Sequence, residues 1–427
     1  MTSIADLQPS RARRSMLARP LQGLGRRVLT ACLSRLEQGR IDLIENGDRQ
    51  VFGDPSGRAA TLEILDPGVY GALGFGGSCG AAEAFMAGQW RSDNLPRLIQ
   101  ILAADEAALA SVEGPIARLM EPATRLAYWL QRNSRRGSAK NIIAHYDLGD
   151  EFFALFLDPT MTYSCALFER GATTLEQAQR EKIDRACRKL ALTPDDHLLE
   201  IGTGWGSLAL HAAHRYGCRV TTTTISPRQA AFAKRRIAAA GLSHRVEVLE
   251  RDYRDLEGRY DKLVSIEMIE AVGAKYLPTY FDTCSRLLAP HGMMMLQAIT
   301  IRDQHYAAAA RSRDFLKQYV FPGSCLPSVA AISESVRDHT DLGIFHLEEI
   351  GPHYAETLAR WRHAFLRREE EVRALGFDEQ FTRLWEFYLC YCEGTFLSRR
   401  VGATQLLLAK PRCQRQPFGC DLEAGAA

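Results

Sequence analysis

Leu198-Leu199-Glu200-Ile201-Gly202-Thr203-Gly204-Trp205-Gly206 runs from an apolar strand straight into a turn with glycine at three alternating positions. Without Cβ atoms the backbone there lies bare, so a ligand can press against it. The stretch reads as the floor of an S-adenosylmethionine site, with Gly202 and Gly204 in the turn and Glu200 able to accept a hydrogen bond from a methionyl ammonium group. A tight strand-to-helix turn without a ligand is the bland alternative.

Working outward, the pattern after Leu190 alternates strand and helix: strands at 197–201, 220–225, 246–249 and 262–266, helices at 208–216 and 229–240. That order predicts an α/β fold of the Rossmann-like class I methyltransferase type, a mostly parallel sheet with helices on both faces and ligands at the carboxyl ends of the strands. A further strand is expected at 293–301. Residues 302–355 read as a lid insertion, 356–375 as amphipathic helices and 404–410 as a closing edge strand.

Upstream, residues 41–66 alternate apolar and polar side chains around turn signals at Asn46-Gly47 and Gly53-Asp54-Pro55-Ser56-Gly57, which predicts short antiparallel strands. Packed helices are expected from about 83 to 110, and the run Gln131-Arg132-Asn133-Ser134-Arg135-Arg136-Gly137-Ser138 reads as a linker. The expected organisation is a basic amphipathic arm (1–40), a small α+β accessory domain that presents lipid or supports folding (41–130), a catalytic domain (140–412) and a tail (413–427).

With 427 residues, 46% of them hydrophobic, the chain can bury two cores. A net charge of +2 argues against a nucleic-acid partner. The first forty residues, however, hold eight Arg against Asp6 and Glu37. Interleaved with Leu17, Leu21, Leu24, Val28 and Leu29, they suit peripheral contact with an anionic membrane surface, or a solvated helix. No apolar run is long enough to span a bilayer. Eleven cysteines without paired metal-ligand spacing suit a reducing compartment, and no metal is expected at His211, His214 or His291. Cys390-Tyr391-Cys392 reads as a buried helical pair.

The second strand ends Thr224-Ile225-Ser226-Pro227-Arg228-Gln229, with no acid to hold a ribose, so Thr224 and Gln229 must offer neutral hydrogen bonds. Over roughly residues 140–410 the ordered motifs resemble the cyclopropane fatty acid synthase family of S-adenosylmethionine-dependent lipid methyltransferases. His145-Tyr146-Asp147-Leu148-Gly149-Asp150, Asp158-Pro159 and Met161-Thr162-Tyr163-Ser164-Cys165-Ala166 resemble its entrance segment. Asp252-Tyr253-Arg254-Asp255-Leu256 is similar to its adenine-side turn, and Val264-Ser265-Ile266-Glu267-Met268-Ile269-Glu270 to its fourth strand and active carboxylate. Phe321-Pro322-Gly323-Ser324-Cys325-Leu326-Pro327-Ser328 resembles a further signature.

The resemblance implies that the double bond of an unsaturated phospholipid acyl chain attacks the sulfonium methyl, and that the resulting carbocation loses a proton to close a cyclopropane ring. Orientation in a dry tunnel would contribute about 7–11 kcal/mol to such a step. It implies a bound bicarbonate as the base, held by Cys165 and Ile299 through backbone and by Glu270, Gln297 and Tyr354 through side chains. It also implies cofactor contacts at Tyr163, Ser164, Ile225, Asp252, Tyr253, Arg254 and Ile266, beside Glu200, Gly202, Gly204, Thr224 and Gln229.

Gln297 and Ala271 depart from the family, where His is frequent at both positions. Gln donates a hydrogen bond but carries no proton, which leaves the product open between a cyclopropane and a methyl-branched or methylene chain. A small-molecule N-methyltransferase of the same fold and a lipid-binding scaffold without turnover are the rival readings. The expected setting is cytoplasmic, at the inner membrane face. Oligomeric state is open, a homodimer included.

Overall fold

The computed structural model describes residues 18–105, 148–312 and 314–416. The linker at 131–138, residues 145–147 of the entrance motif, the first part of the basic arm and residues 417–427 of the tail lie outside them.

A four-stranded sheet forms near the N-terminus from β1 (Arg40–Glu45), β2 (Asp48–Gly53), β3 (Ala59–Ile64) and β4 (Trp90–Arg91), in the order β2-β1-β3-β4. Asn46 and Gly47 both take positive φ, 51° and 89°, and close the β1–β2 hairpin as that dipeptide requires. The expectation of purely antiparallel strands is corrected at the next pair. β3 runs parallel to β1, pairing Leu43 with Leu62, because the loop 54–58 carries the chain back to the start of β1 instead of folding it into a second hairpin.

Helix Ala18–Leu33 belongs to the basic arm, yet its apolar side is only partly available to lipid. Leu29, Cys32 and Leu33 are buried against this small domain, while Leu24 stays exposed.

The larger sheet has seven strands: β5 (His197–Ile201), β6 (Arg219–Thr224), β7 (Val246–Glu250), β8 (Tyr260–Ile266), β9 (Leu288–Ile301), β10 (Gly343–Glu349) and β11 (Val401–Ala409). Their order is β10-β11-β9-β8-β5-β6-β7, parallel from β9 to β7 and antiparallel on either side of β11. β5 is the switch point of the winding, so the glycine turn opens where such sheets bind ligands.

The last strand was expected at an edge and is instead internal. Ala403 and residues 404–408 are buried on both faces between β9 and β10, which explains their continuous apolar run. β10 is the true edge. It lies within 302–355, so that segment is not simply a lid. Helix Val329–His339 also packs in the core through Ile332 and Val336.

Two packing features place the site. Helix Leu175–Leu190 starts at a capping box in which Thr174 and Gln177 satisfy each other's backbone donors, and it turns Gln179, Lys182 and Lys189 inward. Helix Glu379–Leu397 joins the two parts of the chain. Phe381, Trp385 and Tyr388 pack with Phe152, Phe153 and Phe156, while Gly394 lies so close to Ile99 and Pro96 that an added Cβ would stand 2.7 Å from each. The accessory strands and the catalytic helices therefore share one hydrophobic core. Among the described residues no helix is long and apolar enough to cross a membrane.

Candidate active site

The turn after β5 holds Gly202, Gly204 and Gly206 at φ +105°, +51° and +86°. At Gly206 a Cβ would press on Ala233 at 3.1 Å, so this glycine lets helix Pro227–Ala239 approach. At Gly204 a Cβ would meet nothing within 4 Å. That open space in front of bare backbone fits a cofactor lying across the strand end.

Thr224 and Gln229, the neutral pair expected at the ribose, are together. The Thr224 hydroxyl donates to Gln229 Oε1 at 2.9 Å, at the carboxyl end of β6 beside Ile225. Asp252 closes the next loop, where both carboxylate oxygens accept from Arg254, and Arg254 also lies against the Tyr253 ring.

Glu200, expected as an acceptor beneath the turn, already has one protein partner. It sits opposite Thr222 in the β5–β6 register, and its carboxylate accepts from the Thr222 hydroxyl at 2.6 Å. Burial pushes its carboxyl up to about 8. In this arrangement it buttresses the turn from beneath. Tyr163 and Ser164 likewise face protein: the Tyr163 hydroxyl pairs with that of Tyr388 at 2.7 Å, and Ser164 Oγ accepts from Lys182 Nζ at 2.7 Å.

Across the cleft, the loop after β8 carries two carboxylates. Glu270 accepts from the Ile299 backbone N–H through Oε1 at 2.5 Å, while its buried Oε2 has no hydrogen-bond partner among the described residues. Burial first, and then the Glu267 charge, push its carboxyl up to about 8, so it is mostly neutral at pH 7.

Glu267 stands where Cys165, Gln297 and Tyr354 converge. Its Oε1 accepts from the Cys165 backbone N–H at 2.9 Å and from Gln297 Nε2 at 2.8 Å, and its Oε2 accepts from the Tyr354 hydroxyl at 2.6 Å. Burial raises its carboxyl, and these three donors pull it back. The cradle expected to hold bicarbonate is thus filled by a side chain of the chain itself. The second Gln297 hydrogen goes to the Cys165 carbonyl at 3.4 Å. With its donors committed, the cradle does not fit a bound bicarbonate.

The Cys165 thiol is fully buried and held well above its usual range, first by desolvation and then by Glu267. A thiol held protonated is a poor nucleophile, and the part of Cys165 that meets the cradle is its backbone N–H. Glu267, together with Gly202, Gly204, Ile266, Met268 and Ile299, keeps intermediate exposure amid buried neighbours, and Met268 lies directly over Gly202, 3.4 Å from where a Cβ would stand.

Four side chains around this centre were not singled out in the sequence. Lys182, buried and lowered to about 8 chiefly by desolvation, supplies positive charge near Glu267. Gln405 donates to Gln297 Oε1 at 2.9 Å and accepts from Lys189 Nζ at 2.7 Å; Lys189 in turn pairs with Glu348 at 2.5 Å. A lysine has only donors, so it fixes which end of Gln405 faces Gln297, and hence directs the Gln297 NH2 at Glu267. The available signal was the spacing Gln179, Lys182, Ala186, Lys189, polar groups on one helical stripe that otherwise reads as core.

The parallel sheet wound about β5, the open glycine turn and the neutral second-strand pair define an S-adenosylmethionine-dependent methyltransferase. The family model for mycolic acid cyclopropane synthetase matches residues 133–406, and the chain belongs to that family. It is 41% identical over 377 residues to tuberculostearic acid methyltransferase of Mycobacterium tuberculosis, covering 85% of this chain and 86% of that protein. It is 33% identical to cyclopropane-fatty-acyl-phospholipid synthase of Escherichia coli K12, over 82% of this chain and 88% of that one. The solved cyclopropane synthase MmaA2 from M. tuberculosis superposes with a TM-score of 0.60 at 32% identity, over 64% of this chain and 98% of that one. The mycolic acid cyclopropane synthase CmaA1, solved with SAH and CTAB, has the same TM-score, identity and coverage. The chain is a lipid-modifying methyltransferase of the cyclopropane synthase type.

Proposed function

We propose that this enzyme transfers a one-carbon unit from S-adenosylmethionine to the double bond of an unsaturated phospholipid acyl chain. The observation that carries the reading is the pair of carboxylates, Glu267 and Glu270, on the loop after β8 that meets the glycine turn where Met268 lies against Gly202, with the cradle of Cys165, Gln297 and Tyr354 around Glu267. When bound, the cofactor supplies an electrophilic methyl carbon. The chain's own residues do the rest. Gly204 leaves room at the turn, Gly202 lets the Met268 side chain pack against it, and Thr224 and Gln229 offer neutral hydrogen bonds where a ribose would lie. Tyr163, partly exposed and backed by the buried rings of Phe153, Trp361 and Tyr388, puts an apolar face where water would otherwise quench a cation. Negative potential from Glu267 stabilises that cation.

An alkene that gains a methyl becomes a cation one carbon away, and losing a proton from the added methyl closes a cyclopropane. If a hydride first shifts to the cationic carbon, the same proton loss leaves a methylene group. The cyclopropane is our first reading. A methylene product, or a methyl branch where a separate hydride donor then reduces it, is favoured by two observations: the 41% identity to a protein named as a tuberculostearic acid methyltransferase, and Gln297 where an imidazole is frequent. We place the enzyme at the cytoplasmic membrane face, bound peripherally through its basic N-terminal arm.

Incubation with methyl-labelled cofactor and either unsaturated phosphatidylglycerol vesicles or small amines tests the substrate class. Label is expected in the lipid, and mass spectrometry of the released chains separates ring from methylene by retention and fragmentation. Label confined to amines would overturn the lipid reading.

A further inference from the structure

We propose that Glu267 is itself the base that removes the proton from the methylated cation, its carboxylate standing where a bicarbonate would otherwise bind, so that the reaction proceeds without that ion. This rests on the acyl-chain reading above and deepens it.

Hydrogen-bond capacity is the first argument. With Ile299 included, the cradle offers five N–H and O–H hydrogens: one from Cys165 N, one from the Tyr354 hydroxyl, two from Gln297 Nε2 and one from Ile299 N. Three go to Glu267, one to the Cys165 carbonyl and one to Glu270 Oε1. What remains among these groups is the acid proton of neutral Glu270, so a second anion would meet a single donor where Glu267 has three. A carboxylate has about four lone-pair sites, and Glu267 uses two on Oε1 and one on Oε2, so Oε2 retains a site that can receive a proton.

Backbone conformation is the second. Glu267 takes φ +49°, a left-handed position that a side chain adopts only when its surroundings hold it there. Its backbone N–H is tied to the Gln297 carbonyl at 2.8 Å, which turns the side chain into the cradle instead of out to solvent. The third argument is Glu270. It accepts one backbone donor where Glu267 accepts three, and its other oxygen is unpartnered, so of the two carboxyls Glu267 is the one built to be held as an anion.

The step balances. The π pair forms the new bond to the transferred methyl carbon, and the C–S pair returns to sulfur. One C–H bond of the added methyl then breaks, its pair closing the ring or forming the methylene double bond. The proton goes to Glu267 Oε2 and leaves to solvent after product release, Glu267 being partly exposed.

The test compares wild type, Glu267→Gln and Glu267→Gly in carbon-dioxide-free buffer with and without added bicarbonate. Glycine relieves the left-handed backbone, so that variant folds, and SAH affinity by calorimetry confirms both sites intact. Wild-type turnover on unsaturated phospholipid vesicles is expected to be indifferent to bicarbonate. Glu267→Gln should fall about 10²–10⁴-fold, and Glu267→Gly should fall similarly but recover in part when bicarbonate is added. Carbon-13 bicarbonate relaxation reads the cradle without the reaction: binding is expected in Glu267→Gly and not in wild type. Wild-type turnover that disappears without bicarbonate, bicarbonate binding by wild type, or full activity in Glu267→Gln would each overturn the proposal. Failure of the lipid reading would show separately, as wild type labelling no vesicle lipid while the binding arm still reports on the cradle.

Discussion

The two walls of the cleft are built on opposite principles. The cofactor wall, at the ends of β5 and β6, is nearly all backbone and neutral hydroxyls: three positive-φ glycines, the Thr224–Gln229 pair, and Glu200 turned away onto Thr222. The opposite wall concentrates charge out of water in Glu267, Glu270 and Lys182, every one displaced from its ordinary titration range. Shape decides affinity on the first wall, and electrostatics decides rate on the second. Substitutions should separate accordingly.

The largest expected effect is the loss of turnover in Glu267→Gln with SAH affinity unchanged. Its counterpart is Gly204→Val. A β-branched residue in the left-handed region carries about 1–2 kcal/mol of strain, and its side chain would stand in the open space before the turn. SAH affinity should fall about tenfold or more, by roughly 1.4 kcal/mol or above, while the turnover at saturating cofactor stays close to wild type. Calorimetry and saturation kinetics check both. If Gly204→Val changed turnover as strongly as affinity, the division between the walls would not hold.

Tyr354→Phe sharpens the comparison through pH. The Tyr354 hydroxyl is the leading hydrogen bond holding the Glu267 carboxyl down against burial. Without it the Glu267 pKa rises, and since the base must be ionised, the acid limb of the rate profile moves to higher pH. A charge-assisted hydrogen bond of about 1.5–3 kcal/mol corresponds to a displacement of about one to two pH units. A limb that stays in place would remove Glu267 from the rate.

The two walls also differed in how far the sequence disclosed them. Glycine and strand periodicity are local signals, so the turn at 202–206, the β5–β8 alternation and the Thr224–Gln229 pair were legible residue by residue. The placement of β11 was not, because an apolar run at the end of a chain reads equally as an edge or a centre, and only β10 beyond it decides. The charged wall depends on long-range pairing. Cys165, Gln297 and Tyr354 were found, but the group they surround was missed: Glu267 and Glu270 are three residues apart, and only a positive φ at Glu267 turns the former inward. Lys189 and Gln405, 216 positions apart, meet only in the folded sheet.

That relay yields a smaller effect. Gln405→Leu leaves Lys189 its bond to Glu348 but frees Gln297 to turn its amide over, presenting a carbonyl to Glu267 in place of a donor. One lost donor should cost about 1.5–3 kcal/mol at the carboxylate, divided between the two amide orientations, so the acid limb should move upward by less than in Tyr354→Phe. An unchanged limb would mean that Gln297 is oriented by Glu267 and Cys165 alone.

The last effect leaves the rate aside for stability, and it sets Glu270 apart from its neighbour. A carboxyl with an ordinary value of 4.5, held at about 8 in the fold, binds a proton in the native state that the unfolded chain has already released. Native stability therefore falls as pH rises from about 4.5 toward 8 and levels off above it, by at most about 1.4 kcal/mol per pH unit. Glu270→Gln keeps the shape and the acceptor for Ile299 N–H but cannot ionise. Relative to wild type it should gain stability steadily between pH 5 and 8, read from urea midpoints at each pH. The slope contributed by Glu267 remains in both proteins and cancels in the difference. A parallel pair of stability curves would mean that Glu270 is ionised in the fold, and that the charged wall carries two negative charges.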